Sequence, residues 1–134
     1  MRAVLDVNVL VAALLARDSA PARLVSRWLV GDYELIISRK LISELKHALS
    51  YPKLRSRVAL SEASVFVNLL ETSATRGMDA DKSPRRSRDP GDDYLIALAA
   101  SSSAFLTSGD RDLLDLRADF PIYSPSQFLA TLGK

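Results

Sequence analysis

The chain has 134 residues, 48% of them hydrophobic and 25% charged, which is enough for one domain around one core and ordinary for a soluble globular protein. The absence of cysteine excludes disulfides, thiolate zinc sites and a catalytic thiol, and it fits a cytoplasmic location. A net charge of +2 excludes a uniformly basic nucleic-acid binder, and the skew to 13 Arg against 5 Lys reads as codon bias before bidentate phosphate recognition.

A single domain over residues 1–134 is expected, with no internal repeat or linker. No apolar run is long enough to span a bilayer, and Arg2 is the only early charge, so neither a membrane segment nor a secretory signal is expected. Ala3-Val4-Leu5 reads as a buried strand, followed by a short helix from about Asn8 to Ala16. Ala20-Pro21 opens a second helix, whose Leu24, Val25, Trp28 and Leu29 have helical spacing, and Gly31-Asp32 ends it. Leu35-Ile36-Ile37 is a compact strand. Ser38 suits the N-cap of a helix running to about Ser50, where Tyr51-Pro52 breaks it.

A further helix begins near Ser61, with Val65, Phe66, Leu69 and Leu70 on one side. A weak third strand is expected within residues 73–78, and the polar stretch 79–91 reads as a loop. Asp92 opens an apolar helix to about Ser101, and Ala104–Thr107 is a strand. Arg111–Leu116 is a short helix, Ile122-Tyr123 a short strand and Ser126–Leu132 a closing helix. Strands alternating with helices give an α/β protein with a central parallel sheet and right-handed crossovers.

Four carboxylates, Asp6, Glu44, Asp92 and Asp110, fall where such a sheet would bring them together. Ligands of open α/β sheets bind beyond the carboxyl ends of the strands. Asp6 ends the first strand, and Asp110 follows Phe105-Leu106-Thr107 through Ser108-Gly109. Acids converging at one mouth repel one another unless a cation lies between them, and oxygen-only ligands suit a hard divalent ion rather than zinc.

Each acid also has a plainer role open to it. Asp6 suits a helix N-cap, worth about 1 kcal/mol, although Asn8 is a second candidate for that cap. Glu44 lies at the edge of the apolar arc Leu41, Ile42, Leu45 and Leu49, where it either reaches over the sheet or remains a surface acid. Asp92 shares a helical stripe with Leu95, Ile96 and Ala99, so it is expected to face inward unless it only caps the helix. Asp93, about 100° away, is expected to face solvent. Asp110 is ranked above Asp112 by its position after the strand, in a turn whose composition also suits capping. Thr107 and Ser108 can hydrogen-bond a carboxylate or a phosphate.

His47, the only histidine, lies opposite its helix's apolar arc and reads as a surface residue, which argues against a Ser-His-Asp mechanism. Trp28 reads as core. Arg85, Arg86 and Arg88 form a basic patch on the loop before Asp92, either solvated or contacting RNA phosphate. The apolar helix Val9–Leu15 carries more hydrophobic residues than one core stripe needs and could feed an interface.

Taken together, Leu5-Asp6-Val7-Asn8-Val9-Leu10-Val11, the mid-helix Glu44, Arg88-Asp89-Pro90-Gly91-Asp92-Asp93 before Ala97-Leu98-Ala99, and Thr107-Ser108-Gly109-Asp110-Arg111-Asp112-Leu113-Leu114 resemble a PIN domain. The likeness covers almost the whole chain and is strongest to the VapC-type toxins of toxin–antitoxin pairs. The resemblance implies a single three-layer α/β/α sandwich with a central parallel sheet, a Mg²⁺- or Mn²⁺-dependent ribonuclease, a homodimer and a cognate antitoxin. It carries the acidic positions over to Asp6, Glu44, Asp92 and Asp110. It adds Asp112 as a secondary metal candidate, and Asn8 and Thr107 as supporting polar residues.

The chemistry expected is hydrolysis of RNA phosphodiesters by metal-activated water, with Asp6, Asp92 and Asp110 holding the metal and Glu44 completing the shell or orienting the water. Two rivals stand beside it. An aspartyl-phosphate phosphatase or receiver-like domain would use Asp6 as nucleophile, but such sites need a cation after a later strand. After Thr107 the only Lys is Lys134, at the end of the chain. A non-catalytic RNA- or protein-binding domain is the other.

Overall fold

The computed structural model describes residues 1–81 and 90–133. The expected patch Arg85, Arg86 and Arg88 lies outside the described residues. Five parallel strands form one sheet in the order β3-β2-β1-β4-β5, where β1 is Arg2–Leu5, β2 Glu34–Ile37, β3 Thr75–Arg76, β4 Phe105–Thr107 and β5 Ile122–Tyr123. The chain runs outward from β1 to β3, returns to β4 on the other side of β1, and continues to β5. The order therefore reverses between β1 and β4, and this is where an open parallel sheet offers a crevice.

Helices supply the crossovers. They are α1 Val7–Leu15, α2 Ala20–Leu29, α3 Arg39–Leu49, α4 Pro52–Arg55, α5 Leu60–Ser73, α6 Asp93–Ser101, α7 Arg111–Leu114 and α8 Pro125–Leu132. Right-handed connections put the helices between β1 and β3 on one face and α6 on the other. Accordingly α1 packs on α2 and α3, α3 on α5 and α2 on α8, while α6 lies on β1 and β4. The result is the expected α/β/α sandwich.

Local chemistry sets the helix ends. Ser19 caps α2 through Ala22 N (3.2 Å), with Pro21 in the first turn, where a missing N–H costs nothing. Gly31, at φ +88°, ends that helix in the left-handed region that side chains disfavour. Ser38 is fully buried and caps α3 through Leu41 N (3.2 Å). Tyr51 is held extended before Pro52, so α3 stops there. Ser124 and Gln127 form a reciprocal capping box at α8. Arg27 of α2 donates to the terminal carbonyls of Leu132 (2.9 Å) and Gly133 (2.6 Å), fastening α8 to α2.

Two details differ from the sequence reading. Residues 52–55 form the one-turn helix α4, too short for apolar periodicity to reveal. On α5 the buried positions are Ala63, Phe66, Val67 and Leu70, while Val65 is 69% exposed, because α5 turns a different stripe toward α3. The apolar helix α1, between α2 and α3, is taken up by the core only in part, since Ala12, Ala13, Leu14 and Leu15 stay half-buried. Val9, Leu10 and Val11 are buried, and Leu14 and Leu15 pack against the core.

The weak third strand exists, although it is only Thr75–Arg76, paired in register with Ile36 and Ile37. Both of its residues are exposed, so it carries no apolar signature. Gly77 follows, donating its N–H to Ile37 O (2.7 Å). A Cβ on Gly77 would lie 2.7 Å from Leu98 Cδ1, 2.9 Å from Ser102 Oγ and 3.0 Å from Ile36 Cγ2. The sheet edge thus closes onto α6 only because residue 77 has no side chain. Gly77→Ala should destabilise the fold by about 1–3 kcal/mol through overpacking, read as a lower midpoint in urea unfolding with an unchanged slope.

Candidate active site

Register brings the first acids together. Leu5 pairs with Thr107 across β1 and β4, so the next residues, Asp6 and Ser108, leave the sheet side by side. The ladder runs one bond further, from Asp6 N to Thr107 O (3.0 Å). Asp6 is 4% exposed. Its Oδ1 accepts from Val9 N (2.8 Å), so Asp6, and not Asn8, caps α1; Asn8 lies exposed in the first helical turn. Its Oδ2 accepts a hydrogen bond from Ser108 Oγ.

The same Ser108 Oγ accepts from Asp110 N (2.9 Å), and Asp110 Oδ1 accepts from Asp112 N (2.9 Å), capping α7. Ser108 is fully buried and couples the two turns. Asp6 and Asp110 are near enough for the charge of Asp110 to act on Asp6. Burial pushes the Asp6 carboxyl above its ordinary value, and Asp110 adds to the rise, while the bonds from Ser108 and Val9 pull it down.

Thr107 is also fully buried, but its hydroxyl has no hydrogen-bond partner among the described residues. The hydroxyl that engages the first acid is therefore that of Ser108. Successive residues of a strand point to opposite faces, so only the register against β1 distinguishes the two.

Glu44 is held from across the end of the sheet. Tyr94 of α6, 4% exposed, donates its hydroxyl to Glu44 Oε2 (2.7 Å). Burial, and next the bond to Glu44, push the Tyr94 hydroxyl well above its ordinary value, and the charges of Asp79 and Asp6 add to the rise. The Lys40 ammonium lies 4.5 Å from the Tyr94 ring centroid, a cation–π distance. Lys40 N also donates to Asp79 Oδ2 (2.9 Å). Tyr94, Lys40 and Asp79 were not singled out from the sequence. The one available signal was a tyrosine inside an apolar helix, whose buried hydroxyl needs a partner.

At the start of α6 the two adjacent acids are reversed from expectation. Asp93 is 3% exposed, whereas Asp92 is half-buried. A 3-10 turn over Pro90–Asp92 precedes α6, so a 100° step counted from Asp92 does not apply. Ala97, Ala100 and Ser101 form the outward side of α6, and Asp93 shares that stripe by spacing, yet at the start of the helix it is buried. The Asp92 side chain does not cap α6, and one of its carboxylate oxygens is inaccessible. His47 is exposed, as expected, with its ring nitrogen 3.0 Å from Tyr51 Oη. Trp28 is in the core.

Among the described residues, no three His, Cys, Asp or Glu side chains form a group able to hold a metal ion. The pair Asp6 and Asp110 nevertheless suits a hard divalent cation. Mg²⁺ is commonly held by one or two carboxylates, with water and substrate phosphate completing its shell. A buried carboxylate whose charge is opposed by burial and by a second acid is stabilised by such an ion.

A family model described as "PIN domain" matches residues 2–112, and the chain belongs to that family. PIN domains are generally nucleases and typically use divalent metals. Among solved structures, the crystal structure of PAE2754 from Pyrobaculum aerophilum is similar in fold, with a TM-score of 0.66 at 19% identity over 98% of this chain and 89% of that one. No curated protein matches the chain significantly.

The raised carboxyl of Asp6 has a thermodynamic consequence. The folded state binds this proton more tightly than the unfolded chain, so the resulting stability is present below the ordinary carboxylate pKa and is lost as pH rises through the folded value. Without divalent metal, Asp6→Asn should raise the thermal midpoint at neutral pH and flatten its fall between acid and neutral pH, as followed by circular dichroism. A lower midpoint at neutral pH would contradict this account.

Proposed function

We propose that the protein is a Mg²⁺- or Mn²⁺-dependent endoribonuclease, the toxin of a toxin–antitoxin pair. Its substrate is RNA, its inhibitor a cognate antitoxin, its assembly a homodimer and its place the cytoplasm. The observation that carries the reading is the pair of acids at the strand-order reversal, Asp6 and Asp110, coupled through Ser108. Family membership supports the nuclease class. The toxin role, the partners and the choice of RNA rest on the likeness of the motifs.

In this reading Asp6 and Asp110 would hold the cation, with Asp92 and the secondary candidate Asp112 as further ligands. A divalent cation held there would lower the pKa of a water molecule and offset charge on the phosphate oxygens. The chain's own groups supply order. Ser108 and Val9 N fix both oxygens of Asp6, so the carboxylate need not reorganise when substrate arrives. Tyr94 fixes one oxygen of Glu44 and leaves the other to accept a proton from the attacking water. In-line attack by water leaves a 3′-hydroxyl and a 5′-phosphate.

Purified protein should cleave labelled total RNA with Mn²⁺ or Mg²⁺, and EDTA should stop it. Asp6→Asn should lower the rate by roughly a hundredfold or more, the scale of losing one preorganised electrostatic group. End analysis should find 5′-phosphates; a 2′,3′-cyclic phosphate would mean attack by the 2′-hydroxyl and defeat this mechanism. Independently of turnover, Mn²⁺ at a hundredfold excess over its Kd should stabilise wild-type protein by about 2.7 kcal/mol, and Asp6→Asn should lose most of that gain.

A further inference from the structure

Arg39, Ser43 and Lys46 stand on one stripe of α3, at the i, i+4 and i+7 spacing that shares a helix face. With Ile42, Glu71 of α5 and Arg76 of β3 they line an open groove of about 450 Å³. Arg76 pairs with Ile37, the last residue of β2, and Arg39 follows Ile37 by two positions. Both arginines therefore lie at the carboxyl end of the sheet, the end that carries Asp6 and Asp110. They are exposed, and among the described residues neither has an ion-pair partner. Lys46 Nζ is 3.5 Å from Glu71, the one acid in the groove. Three cations thus face one carboxylate.

The groove adjoins the acids through α3 itself. Lys40 and Glu44 occupy the neighbouring stripe, with Lys40 over the Tyr94 ring and Tyr94 bonded to Glu44. Between the two parts stand Glu44 and Asp79, the latter on Lys40 N, so the sheet end is acidic at β1 and β4 while the groove beyond α3 is basic. A phosphodiester chain is repelled by the first part and needs the second to hold it. The lining offers guanidinium, ammonium and hydroxyl groups but no aromatic ring on which a base could stack. Such a surface grips the backbone and does not read bases.

We propose that this groove is a phosphate track for single-stranded RNA, in which Arg39 and Arg76 each contact a backbone phosphate beside the scissile one. The proposal rests on the ribonuclease reading, and its test is separable from that reading because it measures binding without cleavage.

The probe is a fluorescein-labelled single-stranded RNA, titrated by fluorescence anisotropy over a range of salt in EDTA. Both proteins compared carry Asp6→Asn. Adding Arg39→Ala with Arg76→Ala should weaken binding on the order of tenfold near ~0.1 M salt and lower the slope of log K against log salt by about 1.4, at about 0.7 for each phosphate no longer neutralised. Arg39→Lys with Arg76→Lys should retain the slope. Arg117→Ala, a surface arginine after α7 and outside the groove, should change neither quantity. Equal melting curves would show that these exposed substitutions leave the fold intact. An unchanged slope and affinity in the double alanine variant would overturn the proposal, as would an equal loss in Arg117→Ala or no RNA binding at all. A groove that binds as described in a wild-type protein that cleaves no RNA would retain the track and reject the nuclease reading.

Discussion

Asp6 is a carboxylate withdrawn from water at the end of the central strand, and a charge in that position must be compensated from nearby. The compensation is local and partial. The Ser108 hydroxyl and the backbone of the first turn of α1 favour the charge, while Asp110 works in the opposite direction. Every other part of the site stands in some relation to that imbalance. The register of β1 against β4 creates it, the cap of α1 depends on it, and the turn that leads to Asp110 is bound to it through a single hydroxyl. A fold selected only for stability would have little reason to set a second acid beside this buried one, since the repulsion weakens the native state.

The sheet topology explains why the imbalance falls at this point. The strand order reverses between β1 and β4, so the helices that follow these strands leave in different directions and open a crevice. On one side α3 brings Glu44, and from the opposite face α6 brings Tyr94 to meet it over the sheet end. That bond joins the two helical layers where they have no strand between them. Tyr94 sits on the buried side of α6, and the absence of a side chain at Gly77 lets the sheet edge come close to Leu98 of that helix.

Much of this was legible in the residues because it depends on short-range rules. Apolar triplets marked β1, β2 and β4. Ser38 and Pro52 marked the ends of α3, and helical spacing placed Leu41, Ile42 and Leu45 inward. The failures have physical causes as particular as the successes. A helical wheel sees only the helix itself: Asp93 lies on the same side of α6 as the exposed Ala100 and Ser101, but at the helix start it is buried. A 3-10 turn ahead of the helix then removed the phase that would have linked Asp92 to Leu95. The strand Thr75–Arg76 has no apolar residue to betray it, because its place is set by pairing with Ile36 and Ile37.

By itself the sequence determined that a parallel α/β domain would form and that acids would stand at the ends of its strands, since strand periodicity, capping chemistry and the order of apolar segments are properties of neighbouring residues. Only the tertiary structure decided which groups meet. Ser108 rather than Thr107 reaches Asp6 because of a register 102 residues apart in the chain. Tyr94 reaches Glu44 because two helices on opposite faces converge at one sheet end. Arg39 and Arg76 come to share a groove because a two-residue strand pairs beside β2. Contacts of that kind depend on the relative placement of distant segments, which no local pattern encodes.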